Sequence, residues 1–331
     1  MPNLNVNTTL STAESTFTNK TYFDRELLAQ IRTRFVHAKY AKKKNIPPNS
    51  GKKVEWRKWH PFDPELARGG LEEGVTPDGM EVSQDKVEAE VKQFGAFITI
   101  SDLMDRTAID DLMGDAPEML AEQLGTVIDW LTRDEMASGT QVIYAHADGV
   151  TPTKRSEVTK DCVITMEDVR LALLTLKKAK ARKFNGTEFG TKRRGEHFIC
   201  ICSPESIHHL QNDEWWKDVS KYQNQEAIYT GELGKMFDIV FVESTEGKVF
   251  EGEGASGADV HATVVFGKDS YATAEINGSG SIKSYIKGFG SAGTADPLNQ
   301  RATVGAKVMA YAAKILEDAH IVRIESGSNL M

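Results

Sequence analysis

Residues 51–100 contain an excursion that a compact domain could not keep to itself. Lys53-Val54-Glu55-Trp56-Arg57-Lys58-Trp59 alternates as a strand does. So does Val87-Glu88-Ala89-Glu90-Val91, which leads into Phe97-Ile98-Thr99-Ile100. Between them, residues 60–86 hold Pro61, Pro64 and Pro77 with Gly69, Gly70, Gly74 and Gly79. Two strands joined by such a tip make a long hairpin with too few apolar residues to fold alone. A structureless loop of this length is foreign to the inside of a compact domain. The segment reads as a projecting arm that docks on a neighbouring surface.

Charge is split around this hairpin. Residues 1–60 carry 12 Lys/Arg against 4 Asp/Glu, and residues 61–120 carry 4 Lys/Arg against 15 Asp/Glu, in a chain of net charge −8. A basic arm can bind nucleic acid, or it can pair with the acidic segment of another subunit. Two separately solvated faces are the plain alternative. The 331 residues suffice for one large or two modest domains, and 40% hydrophobic with 27% charged residues is an ordinary soluble composition. Three cysteines, Cys162, Cys200 and Cys202, do not make a secreted disulfide framework and suit a reducing compartment. No apolar run reaches membrane-spanning length, and Met1–Thr21 lacks the basic start and apolar core of a signal peptide, so a cytoplasmic site of action is expected.

The first 20 residues show no sustained period and read as a flexible arm. Phe23, Leu27, Leu28, Ile31 and Phe35 predict a basic amphipathic helix over 22–44, stopped by Pro47 and Pro48. Ser101 begins a helical stretch, and Pro117 is expected to open the chain's strongest helix, running to about Val142 with Leu120, Leu124, Val127, Ile128 and Leu131 on one face. Beyond a linker at 148–153 the chain becomes α/β. Thr165 is placed to cap a helix over 166–183, and a short helix is expected over 204–210. Strands are expected over 197–202, 237–242, 260–266, 281–289 and 321–324. Within 296–325, Val304, Val308, Tyr311 and Ile315 fit a helix, while Val304, Ala306, Val308 and Ala310 fit a strand equally well.

Catalytic and ligand-binding motifs are weak. Gly252-Glu253-Gly254-Ala255-Ser256-Gly257 matches a dinucleotide fingerprint, but a strand rather than a helix follows it and Glu253 would repel phosphate. Cys200 and Cys202 lack the spacer of zinc or redox motifs and read as small core residues on one side of a strand. His208 and His209 are adjacent on a helix and diverge. Ser284-x-x-Lys287 falls in a strand without the companion motifs of a serine hydrolase. No cofactor, metal or catalytic residue is assigned. Trp56 and Trp59, like Trp215-Trp216, could stack on single-stranded nucleic acid, but interface packing suits them better.

The order of basic arm, long hairpin, rod helix, α/β part and closing strands resembles the major capsid proteins of tailed bacteriophages, of the Hong Kong 97 type. Tyr22–Leu28, Gly51–Arg57, Gly74–Gly79 and Asp296–Arg301 with Gly305 are similar to stretches of the phage N-four type family. The resemblance spans about residues 20–325 and implies an α+β fold: an N-terminal arm (1–50), an extended loop (51–100), a peripheral domain with the spine helix (101–150), an axial domain (151–289) and returning peripheral strands (290–331). It resolves 296–325 in favour of strands. It also implies a non-enzymatic subunit that assembles with itself, as hexamers and pentamers, into an icosahedral shell around double-stranded DNA. The shell would form in the host cytoplasm and become the virion capsid, with scaffold, portal and decoration proteins as further partners and no membrane. On this reading Arg32, Arg34, Lys39, Lys42, Lys43, Lys44, Trp56 and Trp59 are contacts between subunits or to DNA. The competing reading is a nucleic-acid-binding protein of small oligomeric state that uses the same basic arm.

Overall fold

The computed structural model describes residues 36–330, apart from 61, 71–72, 75, 77–78, 109–111, 148, 150, 186–194, 218–231 and 277–281. In chain order the elements are β1 (Lys42–Ile46), β2 (Lys53–Trp59), α1 (Glu65–Arg68), β3 (Gln84–Glu90), β4 (Lys92–Ser101), α2 (Asp102–Thr107), α3 (Leu112–Met136) and β5 (Val142–Tyr144). They continue with α4 (Met166–Lys178), β6 (Phe198–Cys202), α5 (Pro204–Asn212), β7 (Glu232–Met236), β8 (Ile239–Glu243), β9 (Lys248–Phe250), β10 (Val260–Phe266), β11 (Tyr271–Ile276), β12 (Lys283–Lys287), β13 (Arg301–Ile315) and β14 (Ile321–Ser326).

The first sheet is organised by β13. Its first half runs antiparallel between β4 and β12, and its second half pairs with β11, which carries β1 in parallel at its far edge. Ala302, Val304, Ala306 and Val308 alternate into the interior with the period of two that one buried sheet face requires, and a bulge between Val308 and Tyr311 then puts Tyr311 on the α3 side and Ala310 in the cluster at the hairpin root. Most of this face packs on α3 through Ala116, Leu120 and Leu124, whose four-residue spacing places them on one helix stripe. Thr132 and Tyr311 join helix and strand by a 2.7 Å hydroxyl contact, and burial pushes the Tyr311 phenol well above its usual range. The 25 residues of α3 make a rod of about 38 Å. The helix begins five residues before Pro117 and ends at Met136, so the expected span of 117–142 is shifted; Val142–Tyr144 is a strand instead.

The second sheet has the order β5-β14-β10-β6-β8-β7, with β9 against β10. Its residues alternate between two cores. Phe198, Cys200, Cys202, Ile239 and Phe241 face α4 and α5, while Ile199, Ile201, Val240, Val242 and Phe266 face Met136, Tyr40 and Phe184. Cys200 and Cys202 therefore share one side, Sγ to Sγ at 3.3 Å and fully buried, and burial pushes the Cys200 thiol up. Thr165 caps α4 in a reciprocal capping box with Asp168, and Ser203 with Pro204 starts α5. Within 296–325 the chain forms the strands β13 and β14, with a 3-10 turn at Asp318–His320 between them.

One ionic group centred on a buried carboxylate joins β14 to the turn at Arg155 and to the chain just past α3. Glu325 is fully buried and takes a bidentate fork from Arg155 (2.7 and 2.9 Å) and a bond from Arg323 Nε (2.8 Å). Arg323 also donates to the carbonyls of Ala137 and Gly139 just past α3. Removing one member of such a group strands the other charges. Glu325→Gln should therefore cost about 3–5 kcal/mol in urea unfolding.

Burial also lowers the pKa of His209, with neighbouring His208 and His261 adding to the effect, and burial lowers that of His261 despite nearby Glu205. A depressed folded pKa means that the unfolded chain binds protons first, so this stability is present above the unfolded value of about 6.5 and is lost as pH falls. The melting temperature should drop between about pH 7.5 and about pH 5.5, and His209→Gln with His261→Gln should flatten that drop.

Candidate functional site

The segment leading into β1 is fastened to the body. His37–Tyr40 forms one 3-10 turn, and Val36 and Tyr40 insert into the core beside Phe184 and Phe266. His37 Nδ1 lies 2.7 Å from Asp129 Oδ2, both side chains being buried, and the Ala38 amide donates to Asp129 Oδ1 at 3.1 Å. The Tyr271 hydroxyl donates to the His37 carbonyl at 2.6 Å. The chain then runs along β11 as β1, with Lys42, Lys43 and Lys44 exposed. The expected 22–44 helix does not extend over the described residues from 36 onward. Three consecutive lysines and a β-branched Ile46 take the strand because β11 supplies a backbone partner, which outweighs local helix propensity. The earlier part of that expectation, with Arg32 and Arg34, lies outside the described residues.

The β2–β3 ladder is in continuous antiparallel register from Lys53↔Glu90 to Trp59↔Gln84. Within β2 and β3 only Val54 and Ala89 are buried, and the surface is held by charge pairs such as Lys86–Glu88 (2.6 Å) and Arg57–Glu55 (2.7 Å). Such exposed pairs contribute little, so the ladder leans on its root. There Val54 and Val91 pack with Ile46, Ala274 and Ala310, and Trp56 covers that cluster. Lys44 Nζ sits 5.5 Å from the centre of the Trp56 ring and donates to the Glu55 carbonyl at 2.6 Å. Trp56 and Trp59 diverge as strand alternation requires, and Trp59 remains 63% exposed. Beyond the ladder the tip exposes Phe62, Met80 and Val82.

Between β1, the hairpin root and the second half of the body lies a cleft of about 530 Å³. Lys42, Lys43, Lys44, Arg57 and Lys58 line one side, and Arg182, Lys268 and His320 the other; Asp269 and Glu317 are the acidic residues of the lining. Asp269 sits 3.7 Å from Lys42 and 4.0 Å from Arg182, and Glu317 pairs with Lys58. Burial, with Lys58 and Arg182 nearby, lowers the pKa of His320. The arrangement is an anion-attracting trough with Trp56, Val87 and Leu316 as apolar lining.

Of the residues singled out from sequence, Lys42, Lys43, Lys44 and Trp56 meet here. Lys39 instead lies over its neighbour Tyr40, and Trp59 stands outside the cleft. Arg57, Lys58, Arg182, Lys268 and His320 join them in the fold, and no local sequence pattern links positions so far apart.

The weak motifs dissolve into structure. Gly252–Gly257 carries a single 3-10 turn leading to β10, and Glu253 pairs with Arg155 at 2.6 Å. The rings of His208 and His209 lie 6.1 Å apart, with nearest polar partners Asn212 and Ser328. Ser284 and Lys287 sit on opposite faces of the exposed strand β12. Among the described residues no cluster of three or more metal-capable side chains occurs, and no helix is long and apolar enough to cross a membrane.

No family profile matches the chain, and no curated protein matches it in sequence. Solved structures do match in fold. The capsid of the cyanophage P-SCSP1u superposes with a TM-score of 0.69 at 15% identity, covering 98% of this chain and 97% of that one. The capsid of Ralstonia phage GP4 gives 0.67 at 12% identity, covering 90% of each chain. The head of Helicobacter pylori bacteriophage KHP40 gives 0.66 at 10%, covering 98% of each. The fold is therefore the α+β fold of phage capsid subunits, matched over nearly the whole length rather than in one module.

The anchoring of residues 36–40 makes a prediction. Asp129→Ala removes the acceptor of both the Ala38 amide and His37, bonds to a charged group worth about 1.5–3 kcal/mol each. The Ala38 amide should lose hydrogen-exchange protection selectively, while amides of β10 and β14 keep theirs.

Proposed function

We propose that this chain is the major capsid protein of a tailed bacteriophage, a non-enzymatic subunit that self-assembles into the icosahedral shell around the genome. The observation that carries the reading is the β2–β3 hairpin. Its ladder buries two side chains of its own, and its tip exposes Phe62, Met80 and Val82 to solvent. A lone chain gains nothing from extending such an element, whereas a neighbouring copy can cover it. The end-to-end likeness to capsid subunits supports the same reading.

On this proposal residues 1–50 are the arm and 51–100 the extended loop. Residues 101–150 with 290–331 form the peripheral domain around α3, and 151–289 the axial domain. Hexamers and pentamers make the lattice, double-stranded DNA lies against the inner surface, and scaffold, portal and decoration proteins are the further partners. Assembly takes place in the host cytoplasm and the mature location is the virion.

Removing residues 63–82 tests the reading. The deletion takes out the tip beyond the β2–β3 ladder and leaves the Val54–Val91 root intact. The truncated chain should keep its circular dichroism and its melting temperature within a few degrees, and should fail to form shells by light scattering and negative-stain microscopy. Loss of folding in the truncated chain would contradict the projecting-loop reading.

A further inference from the structure

The two walls of the basic cleft come from distant parts of the chain, and each is held in place by its own bonds. On the body side, main-chain bonds gather the lining around the turn between β10 and β11. The Lys268 amide donates to the Arg182 carbonyl at 2.7 Å, the Leu316 and Glu317 amides donate to the Ser270 carbonyl at 2.8 and 3.0 Å, and the Gly267 amide donates to the His320 carbonyl at 3.1 Å. On the hairpin side, β1 is in register with β11, and Lys44 ties it to Glu55 and Trp56 of β2. The lining carries seven Lys/Arg against two carboxylates, and both carboxylates are engaged: Asp269 by Lys42 and Arg182, Glu317 by Lys58. Trp56 adds an indole Nε1 that is buried without a hydrogen-bond partner, a donor left without an acceptor.

We propose that the cleft is a binding site for a free oligophosphate, a short chain of linked phosphate groups such as inorganic triphosphate or the triphosphate of a nucleotide, held between the hairpin root and the body. The inference stands on the cleft itself and does not rest on the shell reading. Its volume of about 530 Å³ is that of a small-ligand site. Guanidinium forks and ammonium groups are the side chains that bind phosphate, and cations on two facing walls concentrate their field between them. Lys44 already lies over one face of the Trp56 ring, and no other Trp, Tyr or Phe is among the described residues of the lining, so the phosphates rather than a base are what it recognises. A DNA duplex, about 12 Å across its major groove alone, presents its phosphates on a convex surface and meets only the rim. An oligophosphate reaches Arg57 and Lys58 on one wall and Arg182 and Lys268 on the other, and so clamps the root of the hairpin to the body.

Calorimetric titration of the full chain, freed of nucleic acid, tests this with inorganic triphosphate, sulfate and a short DNA duplex as probes. One variant empties the cleft of charge (Lys42→Gln, Arg182→Gln, Lys268→Gln), and a control removes three exposed lysines elsewhere (Lys154→Gln, Lys283→Gln, Lys287→Gln). Circular dichroism establishes that both are folded. Triphosphate should bind at one per chain, at least about tenfold more tightly than sulfate. The cleft variant should weaken it by about tenfold or more and the control by less than about twofold, with the difference shrinking as salt rises. Hydrogen exchange should show amides of Arg57–Trp59 gaining protection with triphosphate while those of β10 do not change. Should the triple variant fail to fold, Lys268→Gln alone is compared with the wild type in the same two measurements. Triphosphate that binds no more tightly than sulfate overturns the site, as does a cleft variant that binds like the wild type. A duplex whose binding is lost in the cleft variant but is not displaced by triphosphate assigns the cleft to nucleic acid and overturns the proposal as well.

Discussion

The packing of β13 on α3 is the constraint from which the rest of the fold follows. A 15-residue strand can hold three strands and a helix only if its inner face stays small and its register is fixed. Ala306 between Val304 and Val308 lets the helix approach closely, and Tyr311 with Thr132 pins its far end. On the reverse face, Gly305 lies opposite Phe97, where an added Cβ would come within 3.3 Å of the Phe97 Cβ. The same strand supplies Ala310 and Ala312 to the floor on which the β2–β3 hairpin stands. Helix, sheet and projecting hairpin thus share one strand, so the direction of the hairpin is fixed by the core.

A second tie runs through residues 36–46. His37 and Asp129 fasten this segment to α3, Tyr271 fastens it to β11, and Lys44 reaches from it to the hairpin at Glu55 and Trp56. The side facing the interior is satisfied by hydrogen bonds and aromatic packing. The outward side carries a run of lysines that meets Arg182 and Lys268 from across the body. Like charges gathered along one cleft repel one another, and the arrangement becomes favourable when an anionic partner occupies it.

Much of this fold was legible in the sequence where local rules and tertiary packing agree. Thr165 announced α4, the apolar runs at 197–202 and 260–266 announced β6 and β10, and the alternation of 53–59 with 87–91 announced the hairpin. The 22–44 helix failed over its described part because Lys42–Ile46 draws its partner from β11, more than 220 residues later. The two periods of β13 could not be separated from sequence, since Val304 and Val308 satisfy both; pairing with β4, β11 and β12 decides between them. The strand β11 leaves only a faint sequence signal because its alternation of Tyr, Ala and Thr is weakly apolar. The candidate site was half legible. A lysine run is visible in one window, whereas Arg182, Lys268 and His320 join it only when the second half of the chain folds back.

Sedimentation velocity of the purified full-length chain, followed by electron microscopy of the same fractions, bears most directly on the account. It predicts closed, uniform shells far larger than a hexamer, together with ring-shaped capsomers at low protein concentration. A single species with the mass of one chain, unchanged as concentration rises and salt falls, would contradict it.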